Sequence, residues 1–171
     1  TLGPRSYDLK EITVLNRIIR WQMKTDDGGE ALVYEPDPRH VEILMAQCGL
    51  KPSSNPVVCP GIKTKDSLLE GPELDAAMAT PFRSACMRLA YLAMDRPEIQ
   101  YTAKEIARAM ANPTEAAWTA LKRCVRYLIG KPRMVAVFRR QKPTNGVMGM
   151  SGSDWAGCTK QRKSSSCMLV V

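Results

Sequence analysis

Proline and glycine punctuate residues 80–132 so regularly that this stretch has few ways to fold. Thr80-Pro81, Arg96-Pro97 and Asn112-Pro113 open three segments, and Gly130 closes the last before Pro132. Proline suits the first turn of a helix and breaks its interior, while glycine suits the residue just past the end. The first predicted helix is capped by Thr80 and carries Met87, Leu89, Ala90, Leu92 and Ala93 as apolar surface. A second, near residues 99–111, places Ile99, Ala103, Ile106, Ala107 and Met110 on one stripe. The third presents Trp118, Leu121, Val125 and Leu128 inward, at the spacing of a buried helical face. Lys122, Arg123 and Arg126 fall outside that stripe and are expected to meet solvent or a polyanion.

The flanks read differently. Residues 11–23 alternate, with Ile12, Val14 and Ile18 on one face and Leu15, Ile19 and Trp21 near the other, which predicts a strand. Asp26-Asp27-Gly28-Gly29 supplies turn chemistry before Ala31-Leu32-Val33-Tyr34, so the simplest expectation is a β-hairpin. Asp37 is then expected to cap a helix with Pro38 in its first turn, Val41, Leu44, Met45 and Cys48 inward and Gly49 at its end. Residues 51–81, rich in Pro, Ser, Lys and Glu around an extended Asn55-Pro56-Val57-Val58-Cys59-Pro60, are the best linker candidate. Beyond Pro132, strands are predicted over Met134–Phe138, Val147–Met150 and Ser166–Val171, with a turn at Pro143-Thr144-Asn145-Gly146 and a loop from Trp155 to Lys163. The pattern as a whole is α+β.

Charge narrows the partners. Residues 1–81 hold nine Lys/Arg against twelve Asp/Glu, whereas residues 82–171 hold sixteen against five. An excess of cations confined to one half suggests an anionic partner for that half, and nucleic acid is favoured over merely solvated helix faces. No run of roughly 18 apolar residues is present to span a bilayer, and no secretory signal opens the sequence, so an intracellular protein (cytoplasm or nucleus) with no membrane partner is expected. The six cysteines form no C-x-x-C pair and are expected to be free thiols. His40, the one histidine, lacks the neighbours of a zinc site. A start at Thr1 and a stop inside the apolar run Met168-Leu169-Val170-Val171 lead us to expect an internal piece of something longer.

The order of motifs past residue 80 resembles the Pol polyprotein of copia-type retrotransposons. Phe82-Arg83-Ser84, Leu89-Ala90-Tyr91-Leu92 and Arg96-Pro97-Glu98-Ile99 are similar to that family's Tyr-Arg-Ser, Leu-x-Tyr-Leu and Arg-Pro-Asp-Ile. Pro113, Trp118, Ala120-Leu121-Lys122-Arg123 and Arg126-Tyr127-Leu128-x-Gly130 look like its Pro-x-x-x-His-Trp-x-Ala-x-Lys-Arg and Arg-Tyr-Leu-x-Gly. Ser151-Gly152-Ser153-Asp154-Trp155-Ala156-Gly157 and Arg162-Lys163-Ser164-Ser165-Ser166 resemble Ser-Asp-x-Asp-Trp-Ala-Gly and Arg-Lys-Ser-Thr-Ser. Each motif alone is weak, and together, in the right order over some ninety residues, they are strong. Upstream, the hairpin, the helix and Asn55–Pro60 look like the family's reverse-transcriptase tail, mainly in element order.

The resemblance implies a parent enzyme that performs two-metal phosphoryl transfer with Mg²⁺. It also implies a Tyr-x-Asp-Asp pair upstream, which this sequence lacks. Asp26-Asp27 lead into Gly28-Gly29 and are better read as turn residues than as metal ligands. The first RNase H carboxylate would stand where Gly152 stands, and glycine has no ligand atom. Asp154 is a weak substitute, since an Asp there more commonly bonds nearby backbone and orders the loop. Ser164-Ser165-Ser166 has no histidine nearby to act as base, and the glycines form no phosphate loop. No catalytic residue, metal site or cofactor is therefore expected here.

These readings predict a reverse-transcriptase C-terminal piece (1–62), a linker (63–80), a helical connection (81–132) and the truncated start of an RNase H-like sheet (133–171). The expected partners are an RNA–DNA hybrid or primer–template and the remainder of the polyprotein. Lys122, Arg123, Arg126, Lys131 and Arg133 are the candidate phosphate contacts, with Arg162 and Lys163 weaker ones. The rival reading is an independent basic helical adaptor that binds nucleic acid or an acidic protein. An active nuclease using Asp154 ranks third.

Overall fold

The computed structural model describes residues 1–22, 29–61, 68–141, 146–154 and 164–170. Contacts divide the chain into two units, Thr1–Arg140 and Gln141–Val171.

The first unit opens with β1 (Glu11–Val14) and β2 (Arg17–Gln22), which pair antiparallel from Glu11↔Arg20 to Val14↔Arg17. The single strand expected over residues 11–23 is thus two. Leu15 and Asn16 turn the chain between them with φ of 50° and 61°, the left-handed pair that a tight hairpin demands. Leucine is an unusual occupant, so Asn16 is the single turn signal between two apolar runs. β3 (Ala31–Glu35) pairs with β2 as expected, while residues 23–28 of its connection, Asp26 and Asp27 included, lie outside the described residues.

A short helix follows, α1 (Arg39–Gln47), with Pro38 rather than Asp37 at the capping position. Asp37 still acts at this end, because its carboxylate accepts the Arg39 N–H at 3.0 Å. Gly49, at φ 64°, lets the Leu50 N–H reach back to the Met45 carbonyl and its own N–H to Ala46, satisfying carbonyls that a helix end leaves free.

α2 (Ala76–Ala93) starts earlier than expected: Asp75, not Thr80, caps it by accepting the Met78 N–H at 2.7 Å. Pro81 consequently sits inside the helix, and residues 76–80 of the expected linker are its first turn. α3 (Pro97–Ala107) begins on Pro97 and tightens into a 3₁₀ turn over Arg108–Met110. α4 (Glu115–Gly130) is capped by Thr114, whose hydroxyl accepts the Ala117 N–H at 3.1 Å and donates to the Leu68 carbonyl at 2.6 Å.

One apolar core joins these four helices. Val41 and Leu44 of α1 meet Phe82, Leu89 and Leu92 of α2, Ile99 and Ile106 of α3, and Leu121, Val125 and Leu128 of α4. Trp118, expected in this core, is half-buried at its margin, edge-on to Phe82 at 6.2 Å. Cys48, Cys86 and Cys124 are buried free thiols in the core, and burial pushes them up to about 11, about 12 and about 12.

The strand expected over Met134–Phe138 is β4 (Ala136–Arg139), but its partner is β3, not the strands that follow. The sheet order is β1-β2-β3-β4, so residues expected to begin a new sheet complete the first one. Asp95, at the turn between α2 and α3, ties sheet to helices: its carboxylate accepts from Arg17 at 2.9 Å and from the Tyr34 hydroxyl at 2.6 Å. Burial and that hydrogen bond push Tyr34 up to about 12.

The second unit is a ribbon of β5 (Gly149–Ser153) and β6 (Ser166–Val170), paired antiparallel. The first of these begins two residues later than the expected Val147–Met150 and ends three later. Of the expected turn at Pro143-Thr144-Asn145-Gly146 all but Gly146 lies outside the described residues, as does the loop from Trp155 to Lys163. The chain is thus α+β, with four α-helices and antiparallel strands among the described residues.

Candidate nucleic-acid interface

The helical period sends Lys122 and Arg126 to one side of α4, with Arg123 adjacent, while Leu121, Val125 and Leu128 fill the core. Their stems are half-buried, so the charged heads sit at the edge of apolar surface. The Lys122 ammonium lies 5.3 Å over the Trp118 ring, a cation–π contact that leaves its charge uncompensated. Arg126 donates through Nε to the Asn55 carbonyl at 2.7 Å and so holds the extended 55–60 segment against α4. Gly130 allows that approach, since a Cβ there would stand 2.8 Å from Pro56 Cβ. The Arg123 Nε is buried and meets no hydrogen-bond partner among the described residues.

The remaining predicted cations divide. Lys131 is exposed beside the Tyr127 ring, with its Nζ 5.4 Å from the centroid. Arg133 grips Glu35 through two bonds of 2.5 and 2.9 Å, and holds that carboxyl down to about 2 with help from Arg20. Its charge is already offset. Arg162 and Lys163 lie outside the described residues.

Two family-motif arginines have roles that the sequence did not reveal. Arg83 donates to the carbonyls of Met110 and Ala111 at 2.8 and 3.2 Å, closing the end of the 3₁₀ turn. Arg96, almost wholly buried, bonds Glu98 at 2.6 Å and the Lys131 carbonyl at 3.0 Å, fastening the start of α3 to the end of α4. A guanidinium supplies five donors in a planar fork, which suits it to such junctions. The signal available beforehand was position alone, since Arg96 stands next to a helix-breaking Pro97.

In β5, Gly152 stands opposite Cys167, and a Cβ at 152 would meet that sulfur at 3.5 Å, an ordinary contact. Packing does not exclude a larger residue there. The Asp154 carboxylate accepts the Ser165 N–H at 2.5 Å, and its own N–H reaches the Ser165 carbonyl at 3.1 Å, so it extends the ribbon's pairing one step beyond Ser153↔Ser166. Among the described residues no cluster of three His, Cys, Asp or Glu is arranged to hold a metal ion. Nor is any helix among them long and apolar enough to cross a membrane.

No protein-family profile matches the chain, and no solved structure matches it. Curated relatives do. The uncharacterized mitochondrial protein AtMg00810 of Arabidopsis thaliana is 27% identical over 164 residues, covering 94% of this chain and 64% of that protein. The retrovirus-related Pol polyproteins from transposons RE2 and RE1 of the same plant are 35% identical over 91 residues and 34% over 120. They cover 53% and 70% of this chain, but only 6% and 8% of the polyproteins. The chain therefore spans less than two thirds of each relative's length. These homologues place it among the retrovirus-related Pol sequences of transposons. They are consistent with the copia-type Pol fragment that the ordered motifs resemble.

Proposed function

We propose that this segment supports nucleic-acid binding inside a retrotransposon polyprotein whose intact form is an RNA-directed DNA polymerase with RNase H activity. The carrying observation is the clustering, along α4 and at its C-terminal cap, of cations without a carboxylate partner among the described residues. Arg17, Arg20, Arg39, Arg96, Lys104, Arg108, Arg133 and Arg140 all sit in ion pairs. Lys122, Arg123, Arg126 and Lys131 have no carboxylate partner among the described residues. Unpaired cations along one helix suit a phosphate backbone, which they position without reading its sequence. On this reading the sheet and α1 belong to the end of reverse transcriptase, and β5 and β6 to the opening of RNase H. The catalytic carboxylates and their Mg²⁺ then belong to other parts of the parent.

The test is binding of an RNA–DNA hybrid by the whole chain across a salt series. Changing Lys122, Arg123 and Arg126 together to Glu is expected to weaken binding strongly at low salt. It should also flatten the dependence of log K on log salt by about 0.9 for each phosphate no longer neutralised. Unchanged affinity removes α4 from the interface. A nuclease centred on Asp154 is disfavoured by that carboxylate's engagement with Ser165. Equal background cleavage of a hybrid in Mg²⁺ by the chain and its Asp154→Asn variant ends that alternative.

A further inference from the structure

The outer face of α2 carries an apolar ridge that neither the core nor α4 uses. Met87, Tyr91 and Met94 follow one another at the i, i+4, i+7 spacing and are 59%, 39% and 62% exposed. Contacts between His40 and Tyr91 and between Gln47 and Ser84 run α1 antiparallel to α2. That pairing brings Ile43, itself exposed on α1, level with Met87 and Arg88. Large apolar side chains gathered over two helical turns mark a contact surface more often than scattered ones do, and methionine adapts readily to the shape of a partner.

The charges on α2 itself favour one kind of partner, while on α1 the exposed Glu42 stands one residue from Ile43. From Ala76 to Ala93 the helix contains two arginines and no acid. Arg83 lies one turn before Met87, and Arg88 lies on the opposite flank, three residues before Tyr91. Among the described residues Arg83 bonds only neutral carbonyls, which leave its charge uncancelled. Arg88 contacts the His40 ring nitrogen at 3.3 Å, has no carboxylate partner among the described residues, and keeps a buried Nε with nothing to donate to. Gln47, on the facing side of the seam, keeps a buried Oε1 without a donor among the described residues. The Tyr91 ring is already engaged by His40 at 4.9 Å and by the Arg17 guanidinium at 5.2 Å, which disfavours base stacking and leaves its exposed edge for side-chain contact.

We propose that Ile43, Met87, Tyr91 and Met94, flanked by Arg83 and Arg88, form a docking face for an amphipathic helix of a partner protein whose apolar stripe is bordered by acidic residues. This surface is separate from the cationic side of α4 and does not rest on the nucleic-acid reading.

The experiment uses the whole chain and two synthetic helical peptides that share one apolar stripe, one flanked by Glu and the other by Lys. Fluorescence anisotropy at low salt is expected to show the Glu peptide binding at least about tenfold tighter, with Met87→Glu and Met94→Gln each weakening it about tenfold, as loss of an interface anchor does. Circular dichroism should stay unchanged, because both side chains point to solvent, and RNA–DNA hybrid binding should be untouched. Equal binding of the Lys peptide, or full affinity in the folded Met94→Gln chain, overturns the proposal. So does a concentration-dependent dimer that Met87→Glu abolishes, since that assigns the ridge to a second copy.

Discussion

Replacing Arg96 with Met asks how much one buried guanidinium contributes to this fold. Its side chain is 3% exposed, against 29% for its partner Glu98. The substitution keeps most of the volume and loses two hydrogen bonds, one to a carboxylate at 2.6 Å and one to the Lys131 carbonyl at 3.0 Å. Hydrogen bonds involving a charged group contribute about 1.5–3 kcal/mol each. Lys131 is exposed and Glu98 partly so, and water recovers part of what is lost at each. The expected destabilisation is therefore about 3 kcal/mol, at the lower end of the roughly 3–5 kcal/mol for stripping a partner from a fully buried pair. Arg96→Lys retains the charge but cannot reach both acceptors, and about half that loss is expected. Urea unfolding of the whole chain measures this as a fall in midpoint at constant slope. Arg96→Met in a Glu98→Gln background should cost about 1 kcal/mol less than in the native background, since the pair is already broken. A loss below about 1 kcal/mol for Arg96→Met would refute the view that this arginine fastens α3 to α4, and an equal loss in both backgrounds would refute a contribution from the Glu98 pair.

Three further outcomes are expected. Gly130→Ala drives a Cβ to 2.8 Å from Pro56, so the 55–57 segment must shift, at a cost of about 1–3 kcal/mol in the same urea assay. Glu35 is held below its usual value to about 2 in the folded chain, so its pairing with Arg133 and Arg20 stabilises fully above the ordinary carboxylate range. That stability should drain away as pH falls from roughly 4.5 toward 2, and Glu35→Gln should remove this part of the acid limb in a pH series of unfolding midpoints. Thiol labelling mapped by mass spectrometry should modify exposed Cys59 and Cys167 quickly at neutral pH, while buried Cys48, Cys86 and Cys124 react only on unfolding.

What was readable from the residues was the helical half. Apolar spacing located Leu44, Ile99, Ile106, Leu121, Val125 and Leu128 in the core because a helix must bury one stripe, and that constraint is local. Helix starts were less legible: Thr80-Pro81 imitates an opening signal, yet Asp75 caps and Pro81 is absorbed within the helix. Strand pairing was hidden for a different reason. Nothing in Met134–Phe138 names its neighbour, and β4 finds β3 across about a hundred residues through backbone bonds that carry no sequence label. At the candidate interface, position on α4 could be read from periodicity. That Arg133 is offset by Glu35 while Lys122 is not depends on the meeting of distant segments, which residue type cannot report.

Because β4 lies beside β3, the helices are an insertion between neighbouring strands of one sheet. During synthesis the free edge of β3 must wait for residues 136–139, by which time all four helices have been made. Any cut between α4 and β4 would therefore strip an edge strand from the opposite end of the chain. Ends chosen at the apparent helix-to-strand boundary would leave β3 unpaired and open to association with another chain.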